Sequence, residues 1–154
     1  MKEAIAIRCA TLKDLKTLLD FEQGVIEAER PLDPFLGKGE LHYYNIPELI
    51  SSKSIYFIVA EVNKELVASG YVRIENSKHY HKNATHGYIG FIFVKPSFRG
   101  KKISTVILDS LKKWAKEKNI KELRLDVYDN NFGAVKAYEN FGFIKSLVNM
   151  RMDI

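Results

Sequence analysis

An apolar run followed by a basic turn and an amphipathic helix most constrains how this chain can fold. The run covers Tyr88–Val94. The apolar residues that follow recur at spacings of three and four, which is helical periodicity: Ile103, Val106, Ile107, Leu111, Trp114 and Ala115. A second strand is predicted at Glu122–Val127, and a right-handed crossover would pair it parallel to the first. This succession of strand, helix and strand predicts an α/β fold.

The turn between the strand and the helix is short and basic. It carries Arg99, Lys101 and Lys102 next to Gly100. Unpaired amides at the amino end of a helix attract anions, and nearby cations add to that attraction. The turn therefore indicates a phosphate site, although basic residues beside a helix start are also common on a merely solvated surface.

A second pattern lies near the end of the chain. Asn131 and Tyr138 are seven residues apart, so on one helix they lie on the same face, two turns apart. Asn130 or Asn131 can cap the exposed amides of this helix, and Gly142 can adopt the left-handed conformation at its carboxyl end. The segment is therefore predicted to be a short helix with a defined start and end.

Two interpretations of this helix are open from the segment alone. Tyr138 belongs either to a functional site or to the core, where it would pack with Val135 and Phe141.

The two patterns together resemble the GNAT superfamily of acyl-CoA-dependent N-acetyltransferases. The turn is similar to the family's Arg/Gln-x-x-Gly-x-Gly/Ala, beginning at Arg99, with Lys102 in place of glycine and Ser104 in place of glycine or alanine. The later pattern Asn-x-x-Ala-x-x-x-Tyr-x-x-x-Gly-Phe is met in full by Asn131, Ala134, Tyr138, Gly142 and Phe143.

The resemblance implies a three-layer α/β/α fold over a single domain, residues 1–154. The sheet would be mixed, mostly antiparallel, and splayed between the fourth and fifth strands. Gly90 lies in the middle of the predicted fourth strand and is well suited to a β-bulge. In this family such a bulge creates the splay.

The resemblance also implies direct transfer of an acetyl group from acetyl-CoA to a primary amine of a small molecule or peptide. Tyr138 would contact the cofactor and act as the general acid, since a phenol with a pKa near 10 is protonated at neutral pH. The other residues implied in cofactor binding are the strand amides of Ile92, Phe93 and Val94, the turn Arg99, Gly100, Lys101, Lys102, Ile103 and Ser104, and Asn131.

A general base is not identified by the resemblance, because Gly90 stands where many members carry a glutamate. The candidates are Glu27, Glu29, Glu75, His86, Tyr88 and Asp126, acting directly or through water. Glu27, Glu29 and Asp33 could attract a cationic amine to the acceptor side.

Composition sets the remaining expectations. A single cysteine, Cys9, excludes an intramolecular disulfide, and His79, His81 and His86 lack metal-ligand spacing, so no metal is expected. No apolar run is long enough to span a membrane, and the start lacks a secretory signal, so we expect a cytoplasmic protein. The expected partners are acetyl-CoA and an amine, without nucleic acid or membrane, in a monomer or homodimer.

Two other classes of function stay open. One is a non-catalytic acyl-CoA-binding domain of the same fold, which Gly90 and Lys102 suggest and which the retained Tyr138 disfavours. The other is a basic nucleic-acid-binding module. The net charge of +5 is modest for that role, which needs a contiguous cationic face with interleaved aromatic residues.

The rest of the chain is predicted from periodicity and turn signals. The predicted elements are a strand at Ala4–Cys9, a helix from Thr11 to Glu29, an irregular segment at Arg30–Gly39, a helix at Glu40–Ser51 interrupted near Pro47, strands at Ile55–Val62 and Leu66–Ile74 joined by a tight turn at Asn63–Lys64, a loop at Glu75–His86, and a last strand at Phe143–Met152.

Overall fold

The computed structural model describes residues 3–154, in which a strand and two helices are followed by three consecutive strands and then by a helix, a strand and a helix. The strands are β1 (Ile5–Cys9), β2 (Ile55–Val62), β3 (Glu65–Asn76), β4 (Thr85–Val94) and β5 (Leu123–Arg124). The α-helices are α1 (Leu15–Glu29), α2 (Ile46–Ser51), α3 (Ile103–Glu117) and α4 (Phe132–Phe141). None of these helices is long and apolar enough to cross a bilayer.

The strands form one sheet in the order β1-β2-β3-β4-β5, and every pair is antiparallel except β4 and β5, which are parallel. The mixed sheet predicted from the resemblance is thus confirmed. The parallel pair is short, because only Gly87 with Leu123 and Tyr88 with Arg124 are in register. Beyond Tyr88, β4 continues to Val94 without a β5 partner, so a cleft opens between the two strands.

A β-bulge lies at the start of this cleft. Ser69 of β3 pairs with Phe93, and Tyr71 pairs with Gly90, so two residues of β4 face a single residue of β3. Phe91, the first of the two, has a φ of 53°, and the buried Ser69 hydroxyl donates to its carbonyl at 3.0 Å. The bulge predicted at Gly90 is therefore present and begins one residue later.

The helices cover both faces of the sheet, because each face of the sheet is apolar. On one face, α3 packs against β2, β3 and β4 through Ile103, Ile107, Leu108 and Leu111. On the other face, α1 and α2 pack against the sheet through Leu18, Phe21, Ile46 and Leu49. The three-layer arrangement follows from these two cores.

Two predicted boundaries near α2 and β3 are wrong. The helix predicted at Glu40–Ser51 is only Ile46–Ser51, because Pro47 lies in its first turn, where the missing N–H costs nothing, and does not interrupt it. The loop predicted at Glu75–His86 covers only residues 77–84, since β3 and β4 pair as far as Asn76 and Thr85.

The last predicted strand, Phe143–Met152, is absent from the described chain. Residues 143–154 have no regular structure, and the strand predicted at Glu122–Val127 is shortened to Leu123–Arg124. The two failures share a cause: a strand forms only with a hydrogen-bonding partner, and these two segments do not pair with each other.

Candidate active site

The basic turn contains two residues in the left-handed conformation. Pro96–Phe98 forms one 3-10 turn, Gly100 has a φ of 77°, and Lys102 is the N-cap of α3 with a φ of 61°. Lys102 therefore occupies the left-handed conformation that glycine adopts without strain, which explains the glycine usual at this position.

The first turn of α3 leaves amides available to a ligand. The helical hydrogen bonds begin with the Val106 amide, which donates to the Lys102 carbonyl at 3.3 Å. The amides of Ile103, Ser104 and Thr105 precede that bond, and no side chain in the described part of the chain caps them. Such amides, with the helix dipole behind them, suit an anionic group.

Three cations lie in the turn that precedes these amides. Arg99 is exposed, and its Nε donates to the Val94 carbonyl at 3.1 Å, which holds the turn against the end of β4. Lys101 lies with its Nζ 5.0 Å from the centre of the Phe98 ring. Lys102 is exposed, so all three predicted cations reach solvent on one side of the helix start.

The end of β4 leads from the cleft to this turn. Phe93 is buried, and Ile92 and Val94 are half-buried. Since the parallel pairing with β5 stops at Tyr88, the β5-facing side of these three residues has no strand neighbour. Apart from the Val94 carbonyl, which accepts from Arg99, the backbone groups on this side are available to an extended ligand.

Asn131 has a structural role in the described chain. Its Oδ1 accepts from the Ala134 amide at 3.3 Å, so it is the N-cap of α4. Of the two asparagines that could cap this helix, the structure uses Asn131, while Asn130 donates to the Leu32 carbonyl at 3.1 Å.

Tyr138 lies on α4 with a half-buried ring. The ring packs edge to face on Phe143 at 6.1 Å between centres and belongs to the partly buried rim of the α3 core. Within residues 3–154 its hydroxyl makes no hydrogen bond. Burial raises the pKa of Tyr138, and the negative charge of Glu29 adds to the rise.

Glu29 is the last residue of α1 and is half-buried. Its Oε2 accepts a hydrogen bond from the Tyr43 hydroxyl at 2.7 Å. Burial raises the pKa of Glu29, the Tyr43 bond opposes the rise, and the nearby Asp33 charge adds to it. Glu29 is therefore a partly buried carboxyl group that is held by the Tyr43 hydroxyl.

Asp33 accepts hydrogen bonds from three groups and joins two distant parts of the chain to the segment after α1. Its carboxylate accepts from the Tyr128 hydroxyl at 2.6 Å, from Arg151 Nη2 at 2.6 Å and from the Phe35 amide at 2.8 Å. The hydrogen bond from Tyr128 is the main cause that lowers the pKa of Asp33. Asp33 is therefore anionic and already satisfied, which makes it a structural group.

A pocket of about 330 Å³ opens beside the point where β4 and β5 separate. Tyr88 donates to Asp126 Oδ2 at 3.0 Å, and Arg73 lies about 5.5 Å from the centre of the Tyr88 ring. The pocket is aromatic with a polar rim, and its lining includes Tyr43, Tyr44, Glu48, Tyr71, Arg73 and Tyr88.

Tyr71 explains why β4 carries glycine at position 90. A Cβ atom on Gly90 would lie 2.5 Å from Tyr71 Cζ and closer still to Tyr71 Oη. Tyr71 is buried, with 4% of its surface exposed, so it cannot move aside freely. An aromatic ring thus fills the space that a glutamate would need.

The remaining candidates for a base lie in other surroundings. Glu27 is exposed and pairs with Arg30 at 3.1 Å, and Glu75 pairs with Arg73 at 3.2 Å. His86 bonds Ser77 Oγ at 2.8 Å near the start of β4, away from the bulge, and burial lowers its pKa.

Glu22 is a site residue that the sequence analysis missed. It is fully buried, and its Oε2 accepts from the amides of Tyr43 at 2.9 Å and Tyr44 at 2.8 Å. His42 Nδ1 lies 2.8 Å from its Oε1. The signal was a lone glutamate on the apolar face of α1, four residues after Leu18 and four before Ile26.

Residues 3–154 contain no cluster of three or more His, Cys, Asp or Glu side chains suited to a metal ion.

The profile of the Acetyltransferase (GNAT) family matches residues 20–143. An N-alpha-acetyltransferase of Sulfolobus acidocaldarius is 29% identical over 142 residues, which cover 89% of this chain and 78% of that protein.

Two solved structures share the fold. A mutant of the BH1408 protein of Bacillus halodurans superimposes with a TM-score of 0.85 at 19% identity, covering 97% of this chain and 99% of that one. A predicted acetyltransferase of Clostridium acetobutylicum, solved with acetyl-CoA, has a TM-score of 0.71 at 21% identity, covering 97% and 96%.

A mixed sheet that opens between β4 and β5, with a basic turn at the next helix start, defines a protein of the acyltransferase class. The match of the family profile over most of the chain identifies the family. The chain belongs to the GNAT acetyltransferase family and is an acyl-CoA N-acyltransferase.

Proposed function

We propose that this enzyme transfers an acetyl group from acetyl-CoA to the α-amino group of a peptide, with Tyr138 as general acid. The observation that carries the proposal is that the Tyr138 hydroxyl on α4 makes no hydrogen bond within residues 3–154, which leaves its proton available to a ligand. The turn Arg99–Ser104 with the start of α3 would hold the pyrophosphate, and the backbone of Ile92–Val94 would pair with the pantetheine arm.

The chemistry is a direct displacement. The amine nitrogen attacks the thioester carbonyl, the C–N bond forms and the C–S bond breaks. Tyr138 gives its hydroxyl proton to the departing thiolate and recovers a proton from solvent. The incoming ammonium must lose one proton before its nitrogen can attack, and the nitrogen loses a second proton as the amide forms. Glu29 is our candidate acceptor for the first proton, directly or through water, and the second passes to solvent.

The surroundings of Glu29 support this role. A carboxylate is a better base when its pKa is raised, and burial raises the pKa of Glu29. Its partner Tyr43 lines the aromatic pocket, so the carboxylate is one side chain away from an amine bound there. Of the six candidates named from the sequence, Glu29 is the carboxylate whose charge acts on Tyr138.

The acceptor class follows from a free-energy argument together with the relative. Deprotonating a lysine-like amine at pH 7 costs about 4.6 kcal/mol, whereas an α-amine with a pKa near 8 costs about 1.4 kcal/mol. With Gly90 in place of a carboxylate on β4, the α-amine is the easier acceptor. The similarity to an N-alpha-acetyltransferase supports the same choice.

The test is a thiol-release assay with acetyl-CoA and four acceptors at matched concentration. They are a peptide with a free N-terminus and no lysine, the same peptide N-acetylated with one internal lysine, a polyamine and an amino sugar. We expect release with the first peptide. Preference for another amine would refute the acceptor class and leave the acetyl-transfer chemistry standing.

Calorimetry separates binding from turnover. We expect acetyl-CoA to bind more weakly as salt rises, because its phosphates would contact Arg99, Lys101 and Lys102. Binding without thiol release for any of the amines would indicate a non-catalytic acyl-CoA-binding domain. No binding at tens of micromolar protein would refute both.

A further inference from the structure

Tyr71 places a hydroxyl group beside the β-bulge of β4, and no step of the proposed transfer uses it. Tyr71 lies on β3, opposite Gly90 in the register of the sheet. Its ring packs at right angles to the rings of Tyr44 and Phe57, with 6.3 Å between centres in both cases. Only 4% of its surface is exposed. The packing therefore fixes the orientation of this side chain.

The backbone of β4 does not itself require glycine at position 90. Gly90 lies outside the left-handed region, which favours glycine over other residues. What excludes a side chain there is contact with Tyr71. A Cβ on Gly90 would come closest to the Tyr71 hydroxyl oxygen, ahead of the ring carbon Cζ at 2.5 Å. The hydroxyl of β3 thus takes the place of the first side-chain atom on β4.

This position on β4 is next to the backbone that would bind acetyl-CoA. The β-bulge begins at Phe91, directly after Gly90, and Ile92–Val94 follow it without a β5 partner. Residue 90 is also the position at which many members of the family carry a glutamate. Tyr71 therefore supplies an oxygen atom from β3 at the point where this chain lacks a carboxylate on β4.

The hydroxyl of Tyr71 has hydrogen-bonding capacity that the chain does not use. Its proton has no acceptor within residues 3–154, because the nearby Arg73, 5.6 Å from the ring centre, carries only donors. Buried polar groups in proteins are normally hydrogen-bonded to protein or to ordered water. Tyr71 also lines the aromatic pocket of about 330 Å³, so a molecule bound in that pocket can supply the missing bond.

Its surroundings keep the Tyr71 hydroxyl protonated at neutral pH. Burial raises the pKa of Tyr71 above its ordinary value, and the charge of Arg73 opposes that rise. A neutral phenol is a poor base, but its oxygen can still accept a hydrogen bond from an N–H group. The chemical task open to Tyr71 is therefore to orient a nitrogen atom, while a carboxylate removes the proton.

We propose that the Tyr71 hydroxyl orients the acceptor amine at the β-bulge, in the place of the carboxylate that Gly90 does not carry. This role rests on the proposed acetyl transfer and adds a residue to it. An amine N–H donates to the Tyr71 oxygen, directly or through one water, so that the nitrogen lone pair faces the thioester carbonyl. Tyr71 itself neither gains nor loses a proton: Glu29 takes the first proton of the ammonium, and Tyr138 protonates the departing thiolate.

Removal of the hydroxyl alone is the first test. Tyr71→Phe keeps the ring beside Gly90, so acetyl-CoA affinity and melting temperature should stay at the wild-type values. We expect kcat for the preferred amine to fall roughly tenfold, the effect of about one hydrogen bond made in the transition state. Tyr56→Phe is the matched control, because Tyr56 is a β2 tyrosine that stacks on Trp114 at 5.4 Å, on the α3 face of the sheet. It should leave kcat unchanged.

An exchange between the two strands gives a readout that packing alone would not change. Tyr71→Ala removes the ring, and the double variant Gly90→Glu/Tyr71→Ala places a carboxylate from β4 in the vacated space. We expect the double variant to be roughly tenfold more active than Tyr71→Ala. Its loss of melting temperature should be smaller than the sum of the two single losses, because the two positions share one space. Gly90→Leu/Tyr71→Ala fills that space without a polar atom and should not regain activity.

Thiol release by the wild type separates this role from the proposed function. A wild type that releases no thiol with any of the four acceptors would refute the proposed function, and the role of Tyr71 with it. When the wild type is active, a Tyr71→Phe rate within about a factor of two of it would overturn the role of Tyr71 alone. A glutamate double variant no more active than the leucine double variant would also overturn that role, because Tyr71 would then act through packing.

Discussion

The Tyr43 hydroxyl donates a 2.7 Å hydrogen bond to Glu29, which joins the end of α1 to the segment that precedes α2. The buried Glu22, two turns earlier on α1, holds the same segment through the amides of Tyr43 and Tyr44. One helix therefore both anchors the wall of the aromatic pocket and places a carboxylate directly behind Tyr43 in that wall.

Replacing Tyr138 with phenylalanine tests the proposed general acid. Tyr138→Phe removes one hydroxyl and keeps the ring that packs on Phe143. We expect turnover to fall roughly 10²-fold or more, with acetyl-CoA affinity nearly unchanged, because the lost interaction is made as the thiolate leaves. Steady-state kinetics and calorimetry measure the two effects.

The control for this prediction is Tyr80→Phe. Tyr80 is 66% exposed in the loop at residues 77–84, and its substitution should change neither quantity. A Tyr138→Phe rate within a factor of three of wild type would show that water supplies the proton.

Replacing Glu29 with glutamine tests the proposed base. Glu29→Gln keeps the shape and an acceptor for Tyr43, so kcat/KM should fall roughly 10²-fold. In the wild type, activity should decline as pH falls through the pKa of Glu29, which burial raises above its ordinary value. The variant should lack that acid limb in its pH–rate profile.

Stability gives Glu29→Gln a second readout. A carboxyl group whose pKa is higher in the folded than in the unfolded protein contributes to the free energy of unfolding at low pH, where it is protonated. That contribution is fully present below the unfolded pKa and is lost as the pH rises through the folded pKa. Glu29→Gln should therefore melt at the same temperature as wild type, or higher, at pH 8. Glu27→Gln, two residues earlier and exposed, is the control and should retain full activity.

Replacing Lys102 with glycine separates backbone strain from charge. A non-glycine residue in the left-handed region destabilises the folded state by about 1–2 kcal/mol. Glycine removes that strain, but its greater freedom stabilises the unfolded chain by about 0.4–1 kcal/mol, which offsets part of the gain. Lys102→Gly should therefore stabilise the fold by about 0.5–1 kcal/mol in thermal denaturation, while acetyl-CoA binding weakens by a factor of a few.

Lys101→Ala, beside it, is the comparison. It should weaken binding similarly through the lost charge and bring no gain in stability. Tighter acetyl-CoA binding by Lys102→Gly would instead mean that the lysine obstructs the turn.

Adding a side chain at Gly90 should destabilise the fold. Gly90→Ala forces its Cβ against the buried Tyr71 ring, and overpacking of this kind costs about 1–3 kcal/mol. Gly133→Ala is the matched control, because nothing lies within 4 Å of the new Cβ and the site is helical, where alanine gains about 0.5–1 kcal/mol. Denaturant titration measures the free energy of unfolding of both variants. A Gly90→Ala variant as stable as wild type would contradict the packing argument.

The His42–Glu22 pair should make stability depend on pH. The hydrogen bond to Glu22 raises the pKa of His42 above 6.5. The contribution of His42 to stability is fully present below its pKa in the unfolded chain, and it is lost as the pH rises through its raised pKa in the folded protein. The loss of melting temperature between pH 5.5 and 8.5 should therefore be smaller in His42→Gln than in wild type. His79→Gln, in the loop at residues 77–84, should leave that difference unchanged.

Local signals predicted most of the elements correctly. The Asn63–Lys64 turn, the α3 periodicity and the Asn131-to-Gly142 helix each depend on residues close together in the chain. Asn63 and Lys64 both adopt positive φ, 50° and 65°, as a tight hairpin turn requires. Such elements are set by backbone preference and a single apolar stripe, both of which can be read in one segment.

The failures depend on distant partners. The strand predicted at Phe143–Met152 has the right alternation, but alternation cannot supply the hydrogen-bonding neighbour that the described chain lacks. Glu22 is similar: one glutamate on an apolar face does not say which amides it will bind, and Tyr43 and Tyr44 lie about twenty residues away in the sequence.

The amino-acid sequence by itself determined the family, the order of the elements and the position of Tyr138, because these follow from short-range patterns. Only the tertiary structure decided that Glu29, among the candidate bases, is partly buried and bonded to Tyr43, that Tyr71 fills the space beside Gly90, and that the tail is left unpaired. Those facts depend on packing between segments far apart in the chain, where burial and distance, not residue type, set the outcome.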